Sequence, residues 1–63
     1  MTLLRRVERY LRTSDTPAAR FGREAVNDPR FVFDLRNGRE PRVTTERRVH
    51  AWLDARETGS GLR

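Results

Sequence analysis

NDPRFVFDLRNGREP, residues 27–41, begins with the letters that start a helix and ends with those that stop one. Asp28 is a capping side chain, and Pro29 takes the first helical position, where a missing N–H costs nothing. Asn37-Gly38 accepts the left-handed backbone that closes a helix, and Pro41 stands just beyond. Only eight residues lie between Asp28 and Asn37, two of them arginine and two phenylalanine. This spacing predicts a helix from Pro29 to Arg36 that turns Val32 and Leu35 inward with Phe31 beside them. Arg30, Phe33 and Asp34 are left on the other side.

The same grammar occurs twelve residues earlier, at Thr16-Pro17. That interval holds one helix and a tight turn, so residues 17–26 are expected to form a helix capped by Thr16 that buries Ala18, Phe21 and Ala25. Upstream, Leu3, Leu4, Val7, Tyr10 and Leu11 recur at steps of three and four, with charged residues between them. The pattern predicts an amphipathic helix over 3–12, with Glu8 and Arg12 paired one turn apart. Downstream, Arg39 to Val43 reads as a short basic loop, and Thr44 caps a fourth helix over 45–56 with Val49, Trp52 and Leu53 as its apolar stripe. No strand pattern is present. The chain reads as all-α, a compact four-helix domain over 1–57 followed by a flexible tail, 58–63, that contains Gly-Ser-Gly.

Composition narrows what such a domain does. A chain of 63 residues buries only about 60% of its unfolded surface. With no cysteine, neither disulfides nor thiolate metal sites supplement its core. A reducing, cytoplasmic setting is expected. Apolar runs reach two or three residues, against the ~20 needed to span a bilayer. The N-terminal charges follow the leucines, so neither a signal peptide nor an anchor is expected. The formal charge of +5 and pI of about 11.4 favour a polyanionic partner, nucleic acid before an acidic membrane surface. All fourteen basic residues are arginine. A GC-rich genome produces this by codon bias alone, yet the guanidinium fork still grips phosphate or a guanine edge through two hydrogen bonds.

Two short helices joined by a tight turn and braced by two more make a helix-turn-helix. Residues 16–41 resemble the helix-turn-helix of lambda-repressor-like and Cro-like regulators, the xenobiotic-response-element class of bacterial and phage proteins. Phe21-Gly22 takes the family's Leu-Ala place, Asp28 caps the recognition helix, Val32 and Leu35 are its inward positions, and Leu-Arg-Asn-Gly-Arg, residues 35–39, looks like its end. Val26 stands where the family has its turn glycine, which passes the left-handed conformation to Asn27. Pro29 occupies a place from which relatives often present a polar side chain, so the reading role moves to Arg30.

The resemblance implies double-stranded DNA as partner and a nucleoid-associated location. Arg30, Phe33 and Asp34 are then the base-reading candidates. Arg30 would contact guanine, for about 1–3 kcal/mol of discrimination. Phe33 would meet a thymine methyl, and Asp34 a cytosine amino group. Arg36, Asn37, Arg39 and Arg42 are candidate phosphate contacts, as are Thr16 and Arg20 at the start of the second helix. Four to six neutralised phosphates imply a log–log salt slope of roughly −4 to −5. Each residue also has a plain reading, as a solvated arginine or a packed aromatic. Many relatives dimerise through a fifth helix that this sequence does not repeat, so a homodimer on a palindromic site is compatible with the resemblance but not implied by it.

Enzymatic readings find little support. His50 is the only histidine, and no second histidine, cysteine or paired carboxylate completes a catalytic or metal site. No cofactor motif and no ligand-binding domain for an effector is visible, and Gly59-Ser60-Gly61 is no phosphate loop. Tyr10 and Trp52 fall at core positions and read as packing. The competing reading is a helical protein-interaction module, of antitoxin or phage-adaptor type, anchored by an exposed Phe31 or Phe33.

Overall fold

Four α-helices follow one another along the chain: α1 (Leu3–Ser14), α2 (Ala18–Val26), α3 (Phe31–Arg36) and α4 (Val43–Gly61). The computed structural model describes residues 2–61. Among them there is no strand, and no helix is long and apolar enough to cross a membrane. The Cα radius of gyration is 11.1 Å, close to the ~11 Å of a compact chain of this length.

In α1, Leu3, Val7 and Leu11 recur every fourth residue and are the buried ones. The Thr2 side chain accepts from the Arg5 amide at 3.2 Å and caps this helix. Its other end is closed by Asp15 in the left-handed conformation (φ 56°, ψ 42°), with the Asp15 N–H donating to Leu11. In α2, Phe21, Gly22 and Ala25 are buried. The inner side of α3 is Phe31, Val32 and Leu35, and Val49 and Leu53 of α4 complete the core. Tyr10, Phe21 and Trp52 form an aromatic triangle joining α1, α2 and α4. Its ring centroids are 5.1–5.8 Å apart, and Trp52 meets the other two edge-on. Edge-to-face contacts of this kind stabilise by about 0.5–1.5 kcal/mol beyond their area burial.

Several helix ends differ from the sequence reading. Thr16 does not cap α2; its hydroxyl bonds to Ser14 Oγ at 2.7 Å, while Pro17 occupies the capping position with no side-chain bond. Thr44 lies inside the first turn of α4, because Arg42 already accepts the Glu46 amide at 2.9 Å. The helix expected to end at 56 continues to Gly61, which takes in part of the expected tail; Leu62 and Arg63 lie outside the described residues. α1 runs on through Ser14, whose hydroxyl folds back onto the Tyr10 carbonyl at 2.6 Å.

Two residues of α1 flank buried Val7, and each reaches a different neighbour. Successive helix residues are rotated by about 100°, so Arg6 and Glu8 stand on opposite edges of the apolar stripe. Arg6 donates to His50 Nδ1 (2.8 Å), Asp54 and Glu57 (3.0 Å), all on α4. The hydrogen bond to Asp54 holds the Arg6 guanidinium above its ordinary pKa, with burial acting in the opposite direction. Glu8 turns the other way and accepts two bonds from Arg36 of α3, at 2.6 and 2.8 Å. The Glu8–Arg12 pair expected within α1 is thus replaced by one between helices.

Candidate nucleic-acid interface

The connection from α2 to α3 is built around Asp28. Asn27 takes the left-handed conformation (φ 60°, ψ 34°), and its N–H donates to Arg23 at 3.0 Å. Asp28 N–H then donates to the Gly22 carbonyl at 3.0 Å. Asp28 Oδ1 accepts from the Arg30 amide at 2.9 Å, and its carbonyl oxygen accepts from the Phe31 amide at 3.1 Å. One residue therefore ends one helix and begins the next. Pro29 and Arg30 form a turn ahead of the regular helix, which starts two residues later than the proline predicts.

The close of α3 is equally defined. Gly38 is left-handed (φ 90°), Gly38 N–H donates to Leu35 at 3.1 Å, and Arg39 N–H donates to Asp34 at 3.0 Å. This paired arrangement at a left-handed glycine is the Schellman motif. A six-residue helix, ~9 Å long, is thus fixed at both ends by backbone bonds and held inward by three buried side chains.

On its outward side, Arg30, Phe33 and Asn37 are exposed, and Phe33 keeps 44% of its surface in solvent. Asp34 is rotated toward the cleft between α3 and the loop to α4. There its carboxylate accepts from Arg39 at 3.3 Å, so it is half-buried rather than outward. Phe31 is buried, which leaves Phe33 as the exposed aromatic of this helix.

The candidate phosphate contacts separate by what already holds them. Arg36 is bound at two atoms by Glu8, and its guanidinium also lies 5.7 Å from the Phe33 ring centroid. Hydrogen bonding to Glu8 raises the Arg36 pKa, while the Glu8 carboxyl is held below its ordinary value by the same bonds. Arg39 and Arg20 each make a single carboxylate contact, to Asp34 and to Glu24 (3.0 Å), with side chains 76% and 66% exposed. Exposed single contacts of this kind contribute little and exchange readily. Among the described residues no carboxylate pairs with Arg30 or Arg42. Asn37 is exposed beside Gly38, and the bonded Thr16 hydroxyl stands before α2.

Two participants escaped the sequence reading. Arg23, exposed in the last turn of α2, has no carboxylate partner among the described residues. Glu8 lies 28 positions from the arginine it holds, a separation that no local pattern encodes. No group of three or more metal-ligating side chains occurs among the described residues. No protein-family model, curated protein or solved structure matches this chain.

Proposed function

We propose that this chain is a small sequence-specific regulator that binds duplex DNA, with α2 and α3 as a helix-turn-helix and residues 29–36 entering the major groove. The observation that carries this reading is the division of α3. Every inward position is apolar and buried, while Arg30, Phe33 and Asn37 stand outward on a domain of net charge +5. A helix this short gains nothing from length, and its rigid end supports suit an element that must fit a groove about 12 Å wide. Arg30, without a carboxylate partner among the described residues, reads a guanine edge, and the Phe33 ring meets a thymine methyl. Arg42, Arg39, Asn37 and Arg20 supply phosphate contacts, with the positive end of α2 beside Thr16.

Selection of bound duplexes from a random library, followed by salt-dependent affinity on a selected and a random duplex, tests the reading. Enrichment of one motif and a steep salt slope are expected. Absence of duplex binding even at low salt removes it.

The exposure of Phe33 on an otherwise polar face favours one competing reading, a protein-interaction module anchored by that ring. Phe33→Ala separates the two. Loss of a protein partner with unchanged DNA preference selects the interaction module, and loss of preference at one thymine position selects the regulator.

A further inference from the structure

Arg36 sits at the end of α3 where a phosphate contact would be expected, yet it is the most firmly held of the arginines proposed for that role. Glu8 takes both Nε and Nη2, at 2.6 and 2.8 Å, in the fork-to-fork geometry that makes such pairs strong. This is the one ion pair joining α1 to α3 among the described residues. The Arg36 guanidinium carbon lies over the Phe33 ring, 5.7 Å from its centroid, which adds a cation–π contact. The three side chains form a chain from α1 to the outward surface of α3.

We infer that Glu8 is a specificity-determining residue that acts through Arg36, keeping that guanidinium off the DNA backbone and against the Phe33 ring. This inference rests on the DNA-binding reading above. Non-specific affinity grows with every phosphate neutralised, whereas discrimination comes from contacts at base edges. A carboxylate that occupies one arginine lowers affinity for all sequences alike. By steadying the neighbouring aromatic ring, the same pair preserves the contact that distinguishes sequences. Glu8 therefore raises the ratio of specific to non-specific binding without touching DNA.

The test is affinity for a random duplex across a salt series, for the wild type, Glu8→Gln, Arg36→Gln, the double variant and Glu40→Gln. Glu40 has no ion-pair partner among the described residues, so its substitution changes net charge equally while freeing no arginine. Glu8→Gln should steepen the log–log slope by about 0.9 and raise random-duplex affinity roughly five- to tenfold near 0.1 M salt. Arg36→Gln, the double variant and Glu40→Gln should keep the wild-type slope. On the selected duplex, the specific-to-random ratio should fall in Glu8→Gln. A merely structural Glu8–Arg36 pair would shift the melting temperature and leave the slopes alike.

An unchanged slope in Glu8→Gln overturns the inference. So does a slope about 0.9 shallower in Arg36→Gln, since that places Arg36 on a phosphate already. Should Glu8→Gln fail to fold by circular dichroism, the Arg36→Gln slope decides alone. Wild-type protein that binds no duplex overturns this inference together with the reading beneath it, whereas wild-type binding with unaltered variant slopes overturns this inference only.

Discussion

The carbonyl oxygen of Asp28 occupies the space a side chain on Gly22 would need: a Cβ there would stand 2.2 Å from that oxygen, with the Phe31 Cβ 3.3 Å away. The obstacle is backbone, and that backbone also accepts the Phe31 amide and so begins α3. Gly22 is therefore what lets α3 leave α2 so closely. Gly22→Ala gains up to about 1 kcal/mol of helix propensity but must push the turn apart, at about 1–3 kcal/mol. A net loss of stability is expected, with Tm falling by roughly 4–8 °C per kcal/mol in a domain this size. Thermal unfolding by circular dichroism checks it, and an unchanged or higher Tm would mean the turn relaxes freely.

Asn27 supplies a second constraint on the same turn. Its φ of 60° lies where most side chains are strained and where asparagine and glycine are tolerated. Among the described residues, its exposed side chain makes no hydrogen bond that a glycine would lose. Asn27→Gly should leave Tm within a few degrees of wild type, whereas Asn27→Val should lower stability by about 1–2 kcal/mol. Urea midpoints of the two variants measure the difference. Equal midpoints would remove the conformational explanation.

These two residues mark how far the sequence could be read. Steps of three and four fix which side of each helix is buried, and Leu3, Val7, Leu11, Phe21, Ala25, Val32, Leu35, Val49 and Leu53 are all in the core where periodicity sets them. Asn27 was legible as the left-handed residue because Val26 resists that conformation. The starts of α2 and α4 were not, since Pro17 rather than Thr16 takes the capping place of α2 and Arg42 rather than Thr44 precedes α4, whereas α2 and α3 end at Val26 and Arg36 as the spacing predicts. A cap depends on local backbone geometry that several adjacent polar residues satisfy equally well. The Glu8–Arg36 contact was hidden for a different reason. Within α1, Glu8 has an acceptable partner in Arg12, and only the packing of α3 beside α1 offers a better one.

That contact gives the fold a defined acid sensitivity. The unfolded chain titrates Glu8 near its ordinary 4.5, while bonding to Arg36 holds the folded carboxyl lower, against an opposing effect of burial. The folded state thus binds this proton less readily, so the pair stabilises above about pH 4.5 and its contribution fades as pH drops through the depressed folded value. Both side chains are a third or more exposed, 33% for Glu8 and 42% for Arg36, which limits the effect through solvent screening. The Tm difference between wild type and Glu8→Gln should be largest near neutral pH, shrink below about pH 4.5 and narrow further in high salt. A difference that is constant from pH 7 to pH 3 would exclude the ion pair as its source.

Arg30 and Arg42 are both exposed and, among the described residues, both without a carboxylate partner, yet they occupy different ends of α3 and should fail differently. Arg30 stands at the N-terminal end, its amide fixed by Asp28, and in the proposed complex this is the end that would face the base edges. Arg42 lies in the loop beyond, before the first turn of α4, where in the proposed complex a side chain would meet the sugar–phosphate backbone. Arg30→Ala should flatten preference at one base position, by about 1–3 kcal/mol between best and worst base, while random-duplex affinity stays nearly constant. Arg42→Ala should weaken every duplex alike and reduce the salt slope by about 0.9. Competition binding on single-base variants of a selected duplex, repeated at three salt concentrations, reads both effects at once. Preference that survives Arg30→Ala removes Arg30 as the reader, and a slope that survives Arg42→Ala removes Arg42 from the backbone contacts.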